Sequence, residues 1–69
     1  MLTPIGQAML DAARGLRRTS WVKRHEAAMW RMRGHEENWL YCENEANRLR
    51  DAAHFYALHA GMNRIESHE

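Results

Sequence analysis

Twelve positions between Trp21 and Ala60 follow one another in alternating steps of four and three residues: Trp21, His25, Ala28, Met32, His35, Trp39, Cys42, Ala46, Leu49, Ala53, Tyr56 and Ala60. Ten of them are apolar or aromatic, and two are histidine. A strand alternates its faces every second residue, so a step averaging about 3.5 residues fits only one face of a helix. The rest of the sequence agrees. The chain has a single proline, Pro4, four glycines and few β-branched residues. Ala, Arg, Glu, Met and Leu dominate, and these are good helix formers. The sequence predicts an all-α protein.

A first helix starts at Thr3-Pro4. Thr3 can cap free amides, and proline suits a first turn that needs no N–H there. Leu2, Ile5, Met9, Ala12 and Leu16 then recur at helical spacing. The step from Leu16 to Trp21 is five residues, and carrying the later seam backward lands on the polar Arg18, Arg14, Asp11 and Gln7. This phase break predicts a turn within 15–20, with Gly15 ending one helix and Thr19 or Ser20 capping the next. The expected plan is a short helix over about 4–16 and a long helical region over about 20–61. Gly61 is the expected end, with Met62 packing back, and 63–69 a frayed tail beyond a single domain over 1–62. Gly34 offers a competing break, a tight turn at Arg33-Gly34-His35. The unbroken seam and the spacing of Arg33 to Glu36 and Glu37 favour a continuous helix, kinked or turned there as the alternative.

With 69 residues, the chain sits in the size range where a disulfide, a metal or a partner subunit usually supplements the core. Cys42 is the single cysteine, which excludes an internal disulfide and suits a reducing cytoplasm. No signal-peptide pattern and no apolar run near the ~20 residues of a membrane span is visible. The expected setting is cytoplasmic, with no membrane association. A short first helix leaves the stripe from Trp39 to Ala60 uncovered, and a second copy is the simplest cover, giving a homodimeric helical bundle. The charges suit antiparallel pairing. Residues 1–34 carry seven basic and two acidic side chains, and residues 35–69 three basic and seven acidic. The expected dimer and core seam comprises Trp21, Met32, Trp39, Cys42, Ala46, Leu49, Ala53 and Tyr56. Seam histidines His25 and His35 would weaken that dimer in acid.

Chemistry is harder to find. No two of His25, His35, His54, His59 and His68 stand three or four residues apart as helical metal ligands do, and Asp51 with His54 is a lone pair at workable spacing, so no metal or other cofactor is expected. Neither Cys42 with His35 nor Ser20 with His25 has an orienting third group, and no glycine-rich phosphate loop occurs. The chain reads as non-enzymatic. Its size and helical plan are those of small bacterial and phage proteins that bind and inhibit a host protein, an analogy of size alone.

Two binding surfaces stand out. Trp30 lies off the main seam and groups with Ala27, Gly34 and Tyr41, flanked by Arg31 and Arg33. Trp, Tyr and Arg are the residue types that dominate interface energetics. Trp30, Arg31, Arg33 and Tyr41 are therefore the expected partner-binding surface of an adaptor or inhibitor. The alternative is a nucleic-acid-associated regulator using Arg17, Arg18, Lys23, Arg24 and Arg31, with tryptophans interleaved for stacking. A helix-turn-helix reader is disfavoured, because its small and apolar positions would fall on Asp11 and Arg24. Capture of a small anionic ligand between subunits is a third reading.

Overall fold

The computed structural model describes residues 1–62, which form two α-helices, α1 (Pro4–Met32) and α2 (Glu36–Met62), packed along their length as an antiparallel hairpin. The start of α1 follows the sequence. Thr3 Oγ1 accepts a hydrogen bond from the Gly6 N–H at 3.0 Å, and Pro4 occupies the first turn. The turn expected within 15–20 is absent. Thr19 caps nothing; its hydroxyl donates to the Gly15 carbonyl one turn back at 3.1 Å, and α1 runs through for 29 residues. The short helix over 4–16 is thus the first part of a helix about 43 Å long at 1.5 Å per residue.

The chain reverses instead at Gly34, where the sequence favoured continuity. Gly34 has φ 78°, a left-handed conformation that L side chains resist. Its N–H donates to the Arg31 carbonyl at 3.1 Å, and the His35 N–H donates to the Trp30 carbonyl at 3.0 Å. These two bonds form a Schellman end, completed by the edge-to-face contact of His35 and Trp30 at 5.3 Å between centroids. The His35 carbonyl then accepts from the Trp39 N–H and opens α2. Glu36 and Glu37 occupy the first turn of α2, where the helix dipole favours acidic groups. The turn separates Arg33 from both, and the pairing expected across 33–37 does not form. Gly61 does not stop α2, which reaches Met62, and the Met62 side chain is exposed. The expected tail 63–69 lies outside the described residues.

A second seven-residue pattern explains why α1 is continuous. Its buried residues are Gly6, Ala13, Ser20 and Ala27, each seven after the last. Met9, Leu16, Lys23 and Trp30, half-buried, repeat beside them. On α2 the buried set is Cys42, Ala46, Ala53 and Ala60, with Trp39 and Leu49 half-buried. Ser20 Oγ donates to the Ala46 carbonyl at 2.7 Å. A hydroxyl one atom beyond Cβ reaches a facing backbone only when the two helices are in near contact, which small side chains permit. Equal rise in the two helices then sets Ala13 against Ala53, Gly6 against Ala60 and Ala27 against Trp39.

The α2 half of the predicted seam lies in the core of the hairpin, with Tyr56 at its edge, 38% exposed. The α1 half does not. Trp21, His25, Ala28 and Met32 lie on the outer surface, as does His35 in the turn. The core has no fully buried large side chain among the described residues. The chain exposes 5453 Å², where a compact monomer of its mass exposes about 4,500 Å².

Candidate functional site

The hairpin has two long sides, and they differ. On one, near the turn, Lys23, Glu26, Met29, Trp30 and Arg33 from α1 meet Asn38, Tyr41 and Cys42 from α2 around an open cleft of about 410 Å³. Three of the four residues predicted to bind a partner, Trp30, Arg33 and Tyr41, converge here. The Arg33 guanidinium stands 5.7 Å from the centre of the Trp30 ring. Trp30 is half-buried, held by His35 beneath it, while Tyr41 is 62% exposed. Lys23 pairs with Glu26 at 3.2 Å. That hydrogen bond and the carboxylate charge raise the lysine pKa above its ordinary value.

Arg31 is the exception. It points to the opposite side, with its guanidinium 5.1 Å from the centre of the Trp39 ring. The reason is angular: one residue advances about 100° around a helix, so Arg31 cannot share the side taken by Trp30 and Arg33.

Steps of seven carry the cleft side along both helices, because the core itself repeats every seven residues. From Met29 they give Val22, Gly15 and Ala8, and from Arg33 they give Glu26, Thr19, Ala12 and Ile5. From Tyr41 they give Arg48, Phe55 and Met62. Ile5, Val22, Met29, Tyr41, Phe55 and Met62 are all exposed. Charge on this side is largely answered locally, Lys23 by Glu26 at 3.2 Å and Arg48 by Glu45 at 3.7 Å. The sequence reading missed this stripe because it sought the core and treated Trp30 and Tyr41 as an isolated patch; counting by sevens from Met29, Arg33 and Tyr41 finds it once the hairpin has brought those three together.

The other side is basic. Steps of seven from Arg31 give Arg24 and Arg17, and the neighbouring row holds Ala28, Trp21 and Arg14. Trp21, Arg24, His25 and Ala28 line a shallow depression there. Of the predicted nucleic-acid residues, Arg17, Arg18, Arg24 and Arg31 are exposed on this outer side of α1, while Lys23 belongs to the cleft. The expected neutralisation of the basic half by the acidic half does not occur within the hairpin. Among the described residues every ion pair stays within one helix: Asp11–Arg14, Lys23–Glu26, Glu45–Arg48 and Arg50–Asp51.

No group of three or more His, Cys, Asp or Glu side chains among the described residues is arranged to hold a metal ion. No described helix is long and apolar enough to cross a membrane. Compared with protein-family models, with characterised proteins and with solved structures, the chain shows no significant match.

Proposed function

We propose that this chain is a non-enzymatic protein-interaction module, an adaptor or inhibitor, that docks another protein on its apolar side. The observation that supports this reading is the convergence of Trp30, Tyr41 and Arg33 on one open cleft beside exposed Met29. Aromatic and arginine side chains around a concave, partly desolvated spot are what binding hot spots are made of. Methionine lends adaptability to such a surface. The cleft is sized for one or two apolar side chains of a partner, with Arg33 and the Lys23–Glu26 pair orienting polar groups at its rim. The test is a crosslinking capture from the source cell with wild type, Trp30→Ala and Arg17→Ala/Arg18→Ala. One protein should be captured in stoichiometric amount by the wild type and the double arginine variant, and lost with Trp30→Ala. Equal capture by all three would contradict the reading.

The homodimer belongs to the same proposal, through the far half of that side. Ile5, Ala8, Ala12, Phe55 and Met62 form a stretch with no acidic or lysine/arginine side chain, and the two alanines allow close approach. Two helices about 10 Å wide over half of α1 offer about 400 Å² per copy, below the usual ~800 Å² per partner of a stable interface. The account therefore expects a dimer that dissociates on dilution, with both clefts left open. Phe55→Asp should give a monomer at every concentration in sedimentation equilibrium; an unchanged dimer would refute this interface.

A further inference from the structure

The basic side is independent of the cleft, and we infer that it binds single-stranded nucleic acid. Arg17, Arg24 and Arg31 stand seven residues apart along α1, about 10 Å between neighbours. Arg14 and Arg18 broaden the row at its start. Arg17, Arg18 and Arg24 make no ion pair among the described residues, and Arg31 lies over the Trp39 ring. Arg14 is partly answered by Asp11 at 3.7 Å. Across the groove the same side of α2, reached in steps of seven from Glu36 beside Arg31, holds Glu43, Arg50 and Ala57. The side keeps a net positive charge along about 26 Å of α1, from Arg14 to Arg31. An extended row in which Arg17, Arg18, Arg24 and Arg31 make no ion pair among the described residues suits a chain of phosphates.

Trp21 sits in the middle of this row and distinguishes a single strand from a duplex. It is 63% exposed, which an indole on a polar surface does not favour unless something covers it. His25 packs against it, with ring centroids 3.9 Å apart, and so holds the indole against the helix. A base with a free π-face can stack on the exposed indole while flanking phosphates meet the arginines; a base locked in a duplex presents no such face.

The experiment is fluorescence anisotropy of the full chain with a labelled 20-nucleotide oligouridine and with a duplex of mixed sequence, at several salt concentrations. Four arginines free for phosphate contact predict a slope of log affinity against log salt of about −2.8, or about 50-fold weaker binding at 200 mM than at 50 mM salt. Arg17→Ala/Arg24→Ala should halve the slope. Trp21→Ala should weaken oligouridine binding about tenfold with the slope kept, and abolish the quenching of tryptophan emission. All three substitutions are on exposed helical positions, and unchanged helicity by circular dichroism verifies that folding is intact. No binding at 50 mM salt overturns the proposal. Equal or tighter binding of the duplex, without tryptophan quenching, overturns the single-strand assignment.

Discussion

Both long sides of this hairpin carry exposed aromatic residues, Tyr41 and Phe55 on one and Trp21 on the other, but they treat charge in opposite ways. On the cleft side, Lys23 and Arg48 each have a carboxylate one turn away, at 3.2 and 3.7 Å, and Arg33 lies by the Trp30 ring at 5.7 Å. On the other side, Arg17, Arg18 and Arg24 have no such partner among the described residues. A surface whose charges are answered from within can be desolvated against another protein at little electrostatic penalty. A surface whose charges are left open attracts polyanions and resists burial against apolar groups. The thin core makes this division possible: only Gly, Ala, Ser and Cys are buried between the helices, Met9, Leu16, Trp30, Trp39 and Leu49 are half-buried beside them, and most other large side chains are left for the surface.

That comparison can be broken most thoroughly at the core. Ala53 is fully buried, and Ala53→Leu should force the helices apart, destabilising by about 3 kcal/mol, enough to unfold a marginal domain and erase both sides together. A melting temperature within a few degrees of wild type would deny the close packing. Trp30→Ala should remove about 2 kcal/mol or more of partner affinity, roughly 30-fold, while salt-dependent nucleic-acid binding stays at the wild-type level. Loss of both would mean the sides are not separate. Gly34→Ala meets no steric obstacle, with nothing within 4 Å of the added methyl, so its effect isolates backbone strain at φ 78°; about 1–2 kcal/mol of stability should be lost with both binding activities retained in the folded fraction. Ser20→Ala should be the mildest. It removes the bond to the Ala46 carbonyl, yet that carbonyl keeps its helical partner and alanine favours helix, so a net loss near 0.5 kcal/mol or less is expected by urea denaturation.

The helical class was legible in the sequence, and so was the α2 seam, because Trp39, Cys42, Ala46, Leu49, Ala53 and Ala60 are all apolar and face α1. The α1 seam was hidden because two of its buried positions, Gly6 and Ser20, are small without being apolar, and Lys23 brings a charge into the flanking row. The search for apolar periodicity instead followed Ile5, Ala12, Trp21 and Met32, which are exposed, and the mismatch between true and false stripes looked like a turn. Reading for small residues every seventh position recovers Gly6, Ala13, Ser20 and Ala27, ending at the Gly34 turn. Of the candidate partner site, Trp30, Arg33 and Tyr41 were readable from residue type and spacing. Arg31 lies on the opposite side, over Trp39, because neighbours in sequence are about 100° apart on a helix, and the apolar extension through Val22, Phe55 and Met62 required the hairpin register set by Ser20 and Ala46.

The central claim is that one side takes protein and the other nucleic acid. Nuclear magnetic resonance of the labelled chain tests it most directly, following side-chain signals first on dilution and then on addition of oligouridine. The account predicts that dilution moves the signals of Ile5, Ala8, Ala12, Phe55 and Met62. The oligonucleotide should move the Trp21 indole and the Arg17, Arg24 and Arg31 guanidinium signals, leaving the first set in place. One common set of residues responding to both would contradict it.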